Sequence, residues 1–175
     1  MRIGLLEQLN DLTRRSFNSL QGIRIRKILI AVDGSERSIN AVEFAVDLAT
    51  KYDSEICLVH VIPNSIWRYC MATDEEDLIS PHIIKNTIKE MEEEGERLLS
   101  SVLTSVKGAG IEAHAQLDHG YPAKKILQIA KEENFDLIVM GSSDRGTITR
   151  LFFGSISDEV IRKAPCPILL VKPKK

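Results

Sequence analysis

The chain has 175 residues and a nearly balanced charge, with 23 basic residues, 25 acidic residues and a net charge of -2. This length suits one domain that buries its own core, and the balanced charge argues against nucleic acid or an anionic membrane as a partner. Three cysteines without a C-x-x-C pair argue against a disulfide framework or a zinc site. No apolar run approaches the roughly 18 residues of a membrane span, and no secretory signal pattern opens the chain. We therefore expect a soluble cytoplasmic protein.

Residues 1–24 form an N-terminal extension ahead of a single domain at residues 25–175. Apolar residues recur in the extension at helical spacing, which predicts an amphipathic helix that ends near Gly22. These residues are Ile3, Leu6, Leu9 and Leu12, followed by Phe17 and Leu20, with Leu5 beside them. We interpret the helix as packing on its own domain or on a partner subunit. A membrane-surface helix is the alternative, although such helices usually carry more basic residues on the polar face.

Two buried strands and a helix follow the extension. Residues 27–32, KILIAV, are almost wholly apolar, as expected for a parallel strand that is covered on both faces. Asp33 then begins a turn, and Ser35 is a good N-cap for a helix. The second strand is predicted at residues 55–62, EICLVHVI, and His60 within it is interpreted as a hydrogen-bonded core histidine.

The middle of the chain alternates in the same way after an irregular stretch at residues 63–80. A long helix is predicted to start near Pro81, and Gly108 and Gly110 are predicted to end it. Residues 111–117, IEAHAQL, alternate apolar and polar side chains, which favours an edge strand. Pro122 then suits the first position of a short helix.

The stretch from Asp136 to Ser155 carries the strongest functional pattern. An apolar run ends at Gly141, a polar loop follows, and Gly154 precedes a helix that is predicted from Ser155 to about Lys163. A strand, a glycine-containing loop and a helix N-terminus together are a common anion site, because free N–H groups and the helix dipole attract phosphate. A last strand is predicted at residues 167–171.

Five segments follow one another along the chain: KILIAVDGSERS, LVHVI, GYPAKKILQIA, DLIVMGSS and GSISDEVIRKAPCPILLVK. Together and in this order they resemble the universal stress protein family, and the similarity spans about residues 26–172. The nucleotide loop of that family reads Gly, two residues, Gly, nine residues, then Gly with Ser or Thr. Gly141, Gly154 and Ser155 match this pattern, whereas Asp144 occupies the middle glycine position and Gly146 follows two residues later. The loop is neither a Walker loop nor a dinucleotide fingerprint.

The resemblance implies a single doubly wound α/β domain with a five-stranded parallel sheet in the order 3-2-1-4-5 and helices on both faces. The alternation of strands and helices along the chain independently favours this fold class. In such a sheet the ligand crevice lies where the winding reverses, at the carboxyl ends of the first and fourth strands. Asp33 and Gly141 follow those two strands, so both lines of inference lead to one place.

The resemblance also implies an adenine-nucleotide site for ATP, ADP or AMP, with or without Mg²⁺. Asp33 would lie near the adenosine, Val61 and Met140 would flank the adenine, and Gly141 would meet the ribose. Backbone N–H groups of the Gly154–Ile156 segment would hold phosphates. The full candidate set is Val32, Asp33, Val61, Met140, Gly141, Ser142, Asp144, Arg145, Gly146, Gly154, Ser155 and Ile156.

Each of these residues also has a purely structural interpretation. Asp33 would then be a turn and capping residue, and Val61 and Met140 would be core residues whatever binds. Gly141 and Gly154 would satisfy backbone geometry alone.

Asp144 opposes phosphate binding on electrostatic grounds. Two like charges about 4 Å apart repel by about 1 kcal/mol in water and about 4 kcal/mol at a surface-like dielectric. Three arrangements relieve this repulsion: Asp144 points outward, Arg145 and Arg150 compensate it, or it holds a Mg²⁺ ion that bridges the phosphates.

These features favour a nucleotide-binding regulatory module of the stress response. The alternative is a member of the family that binds no nucleotide and acts through protein contacts. A hydrolase ranks third, because no residue is identifiable as the base that would activate water. The sequence contains no arrangement that we interpret as catalytic or as a resident metal site.

The last predicted strand also indicates assembly. Residues 167–171 form an apolar segment at a sheet edge, and unpaired edge N–H and C=O groups attract another strand. The resemblance implies a two-fold homodimer in which this strand pairs with its copy. Pro167 and Pro173 would limit the pairing at both ends.

Overall fold

Residues 24–64, 81–142 and 155–172 are described by the structure, a computed structural model of the chain. The elements are β1 (Lys27–Ala31), α1 (Glu36–Tyr52), β2 (Glu55–Pro63), α2 (Pro81–Gly108), β3 (Ala113–Gly120), α3 (Pro122–Glu132), β4 (Leu137–Gly141), α4 (Ser155–Lys163) and β5 (Ile168–Val171). The alternation confirms the predicted α/β class. The predicted N-terminal helix, residues 65–80 of the irregular stretch predicted at 63–80, and residues 143–154 of the polar loop predicted after Gly141 lie outside the described residues.

The five strands form one parallel sheet in the order β3-β2-β1-β4-β5. This confirms the predicted strand order and places the reversal of winding between β1 and β4. In the register, Ile28 of β1 lies opposite Ile56 of β2 on one side and Leu137 of β4 on the other. The carboxyl ends of β1 and β4 therefore lie side by side.

The apolar composition of β1 follows from its central position. Ile28, Leu29 and Ile30 are all 0% exposed. Ile28 and Ile30 pack with α1 and α2 on one face, whereas Leu29 packs with α3 and α4 on the other. Because both faces are covered, the strand cannot alternate with polar side chains. None of the described helices is long and apolar enough to cross a membrane.

The boundaries of the edge strands differ from the sequence-based predictions. β3 was expected at residues 111–117 but begins at Ala113 and continues to Gly120, because it stays in register with the nine-residue β2 to Pro63. Ile111 instead packs against the core as a partly buried side chain. The last strand begins at Ile168, one residue later than expected, and Pro167 contributes its carbonyl to the N–H of Ile138 at 3.0 Å.

Helix α1 crosses the end of β4 at very short range. A Cβ atom on Gly141 would lie 2.7 Å from both the carbonyl carbon and the carbonyl oxygen of Arg37. Backbone atoms cannot move aside as the tip of a flexible side chain can. Glycine at this position is therefore required by packing, whatever else binds there.

We predict that Gly141→Ala lowers the free energy of unfolding by about 1–3 kcal/mol, the usual cost of overpacking. Gly108→Ala is the matched control, because nothing lies within 4 Å of its added Cβ. That control should change stability by less than about 1 kcal/mol, and in the stabilising direction. Urea unfolding of both variants measures the difference. Equal effects would show that the approach of α1 to β4 does not constrain the fold.

Candidate functional site

A cavity of about 740 Å³ opens at the carboxyl ends of the strands. Its walls come from the turn after β1, the ends of β2 and β4, the inner side of α2 and the first turns of α1, α3 and α4. The volume lies within the range of about 300–1,000 Å³ that is typical of small-molecule sites. The cavity is at the predicted crevice, where the winding of the sheet reverses.

The turn after β1 presents a carboxylate to this cavity. Gly34 has a φ of 78°, which a glycine adopts without strain and which allows the chain to enter α1 at once. Ser35 is the N-cap, and its Oγ accepts a hydrogen bond from the N–H of Ser38 at 3.2 Å. The same hydroxyl donates to Oδ1 of Asp33 at 2.6 Å, and the N–H of Ser35 donates to that oxygen at 3.0 Å.

These hydrogen bonds keep Asp33 ionised. Partial burial raises the pKa of the Asp33 carboxyl, but donors from Ser35 and Ser38 together outweigh burial and hold the pKa below its ordinary value of 3.8. An ionised carboxylate only accepts hydrogen bonds. Asp33 therefore suits a ligand that offers hydroxyl or amino groups, and it repels an anionic group.

His60 contributes a second polar group to the cavity wall. Its Nδ1 lies 2.7 Å from the carbonyl oxygen of Val32. Since a carbonyl oxygen only accepts, the proton is assigned to Nδ1. The prediction of a hydrogen-bonded histidine is confirmed, but the ring is half-buried at the cavity rather than in the core. Space for the ring exists because α2 carries Gly95 there, whose added Cβ would lie 2.9 Å from Cδ2 of His60.

The structure brings together most of the residues that the sequence nominated. The cavity lining includes Val32, Asp33, Val61, Met140, Gly141, Ser142 and Ile156. Ser155 is the first residue of α4, next to this lining. Asp144, Arg145, Gly146 and Gly154 lie outside the described residues.

Ser142 has an unusual position just beyond β4. Its N–H donates to the carbonyl of Val171 at 2.8 Å and so extends the pairing of β4 with β5. Its Oγ is buried and has no hydrogen-bond partner among the described residues. A buried hydroxyl normally finds a partner in the protein, in water or in a ligand.

Sequence reasoning missed one whole wall of the cavity. Helix α2 contributes Met91, Gly95 and Leu98, and α3 contributes Pro122 and Ile126. The apolar residues of α2 were recognisable as a buried stripe, but periodicity does not reveal which part of a helix faces a cavity. Only the glycine within a charged run, Gly95, was a signal of close approach.

The two ends of the cavity differ in electrostatic character. Asp33 and Glu94 are acidic, and Arg37 is the only permanently cationic side chain among the described lining residues. This part of the cavity therefore does not favour a highly charged anion. The N-terminal turn of α4 favours an anion, because its free N–H groups carry partial positive charge. No group of three or more potential metal ligands occurs within residues 24–64, 81–142 and 155–172.

We predict that Ser35→Ala destabilises the protein by about 1 kcal/mol near neutral pH, since it removes the cap of α1. Part of this loss of stability should disappear at low pH. The Asp33 carboxyl has a lowered pKa in the folded state, so its contribution is complete above the unfolded pKa and is lost as the pH falls through the folded pKa, below 3.8.

Urea unfolding near pH 7 and again below the folded pKa of Asp33 measures both parts. Ser100→Ala is the control, because Ser100 is exposed within α2 and alanine is a better helix former. A Ser35→Ala effect that is independent of pH would contradict the link to Asp33.

Comparison with known proteins adds independent information about the family and the fold. A family model described as the universal stress protein family matches residues 24–172. The chain is 33% identical over 151 residues to universal stress protein MJ0531 of Methanocaldococcus jannaschii, covering 86% of this chain and 84% of that protein.

Solved structures show the same architecture. The chain superposes on hypothetical protein MJ0577 with a TM-score of 0.71 at 25% identity, covering 87% of this chain and 99% of the other. It superposes on a universal stress protein family protein from Arabidopsis thaliana, solved with AMP bound, with a TM-score of 0.61 at 20% identity. That match covers 85% of this chain and 92% of the other.

Proposed function

The chain belongs to the universal stress protein family, and we propose that it binds adenine nucleotide in the cavity at the carboxyl ends of β1 and β4 as a regulatory module of the stress response. The observation that carries the proposal is the meeting of Asp33 with the end of β4 and the start of α4 around one cavity. Those elements suit the two chemically different ends of a nucleotide.

The nucleoside fits the inner part of the cavity. Val61 and Met140 are 8% and 4% exposed and offer apolar surface to a base. Asp33 accepts hydrogen bonds, and the hydroxyl groups of a ribose or the amino group of an adenine would donate them. The negative charge of Asp33 disfavours a phosphate at the same position.

The phosphates fit the N-terminal turn of α4. Ser155 begins this helix and Ile156 lines the cavity, so backbone N–H groups there would meet an anion. The family pattern assigns Gly154 and the Ser155 hydroxyl to the same task. Mg²⁺ would arrive with the nucleotide and would be held mainly by phosphate oxygens.

The Arabidopsis relative supports the proposal. Its structure contains AMP and it shares the fold of this chain. The cavity described here lies at the place that the fold class favours for ligands.

Isothermal titration calorimetry with ATP, ADP and AMP, each with and without Mg²⁺, tests the proposal. We predict binding to the full chain and a loss of about tenfold in affinity for Asp33→Asn, because the amide oxygen of Asn still accepts a hydrogen bond but lacks the charge that strengthens it. Glu112→Gln is the control, since Glu112 is an exposed residue ahead of β3. Absence of heat at millimolar ligand, with the protein shown to be folded, would leave protein contacts as the function.

A second titration examines Asp144, whose charge is expected to oppose phosphate. If it repels phosphate, Asp144→Gly should tighten ATP binding more than adenosine binding. If it holds Mg²⁺, the same change should weaken ATP binding only when the metal is present. Unchanged affinities under all conditions would show that the side chain points away from the ligand.

We also propose a homodimer through β5. Ile168, Leu169, Leu170 and Val171 are all only partly buried at this edge of the sheet, and antiparallel pairing with a second copy would cover them. Sedimentation velocity should show a dimer at tens of micromolar, and Leu170→Lys should shift it towards monomer. A monomeric parent chain would refute the pairing.

A further inference from the structure

Helix α1 has an apolar flank that the described residues leave open. Phe44, Leu48 and Tyr52 follow one another at spacings of four residues and therefore lie along one side of the helix. Phe44 is 49% exposed, Tyr52 is 46% exposed and Leu48 is partly buried at the margin of the core. We call these three residues the α1 flank.

A buried polar group lies next to this flank. Asn40 is one helical turn before Phe44, and its Nδ2 is buried without a hydrogen-bond partner among the described residues. An amide N–H₂ that is removed from water normally has an acceptor. The flank therefore combines exposed apolar surface with an unsatisfied donor, which indicates that another segment completes it.

The first described residues lie next to the C-terminal end of the α1 flank. The carbonyl of Ile25 accepts a hydrogen bond from Oγ of Ser54 at 2.5 Å, and the carbonyl of Arg26 accepts one from the N–H of Glu55 at 2.8 Å. Ser54 is two residues beyond Tyr52. Ile25 also packs against the core on the α1 side of the sheet. The N-terminal extension is thus tethered where the flank ends.

We propose that the N-terminal extension covers the α1 flank of its own chain. The amphipathic pattern from Ile3 to Leu20 would give a helix of about 27 Å, and the 17-residue α1 is about 25 Å long. An extension helix that runs along α1 towards the C-terminal end of α1, and turns near Gly22, would lead into β1 without a long connection. Its leucines would cover Phe44 and Leu48, and a polar atom of the extension would accept from Asn40.

The proposal is independent of nucleotide binding and commits to this one occupant. A second copy of the chain is the competing occupant, because an exposed apolar surface also suits contact between copies. The tether favours the extension, since a segment attached beside Tyr52 has a high effective concentration at the flank.

Thiol labelling in the full chain tests the proposal. The substitutions Cys70→Ser and Cys166→Ser remove two native thiols that could otherwise react with the label. Burial, followed by the nearby Glu133 charge, raises the pKa of Cys57 to about 12, so that buried thiol remains unreactive. Lys51→Cys places a reporter beside Phe44 and Leu48. Thr50→Cys places a control reporter on the other side of α1, where the residue is also exposed.

The maleimide reaction rate of each reporter is then compared with and without Leu9→Ser and Leu12→Ser in the extension. We expect the rate at Lys51→Cys to rise about fivefold or more when the extension is disrupted, and the rate at Thr50→Cys to stay the same. Gln8→Ser with Asn10→Ser, a polar pair in the same segment, should change neither rate.

An unchanged rate at Lys51→Cys, or equal increases at both reporters, would overturn the proposal. Protection at Lys51→Cys that grows with protein concentration would assign the flank to a second copy and would also overturn it.

Discussion

The close approach of α1 to the end of β4 is the constraint on which the site depends. Gly141 faces the backbone of Arg37 with no room for a Cβ atom. This contact fixes the first turn of α1 above the reversal of winding, where Ser35 caps the helix and orients Asp33. The same contact therefore positions the carboxylate, the strand end and this wall of the cavity relative to one another.

The same geometry divides the cavity electrostatically. The turn that orients Asp33 also keeps it ionised, so this end accepts hydrogen bonds and repels anions. The N-terminus of α4 has the opposite polarity because of its free N–H groups. A ligand with neutral donors at one end and negative charge at the other matches both ends, and a nucleotide has this character.

Much of the fold could be predicted from the sequence, because buried parallel strands carry continuous apolar runs. The meeting of Asp33 and Gly141 was predictable for the same reason, since parallel strands end at one edge of the sheet. The limits of β3 could not be predicted, because its pairing with β2 up to Pro63 extends the strand beyond its own alternating pattern. The cavity wall formed by α2 could not be predicted either, since the contact of Gly95 with His60 arises only when the helix packs on the sheet.

Gly141 shows why a matching motif needs the structure beside it. The glycine fits the family's nucleotide loop, yet the backbone of Arg37 already requires it. Its presence alone therefore does not distinguish a binding member from a non-binding one. The buried hydroxyl of Ser142 is a stronger indication, because it has no hydrogen-bond partner among the described residues.

A crystal structure grown with AMP tests the central claim most directly. The account predicts electron density for adenosine between Asp33 and Met140, with the phosphate at the N-terminus of α4. Density at another place on the surface, or an empty cavity in crystals grown at millimolar AMP, would contradict it.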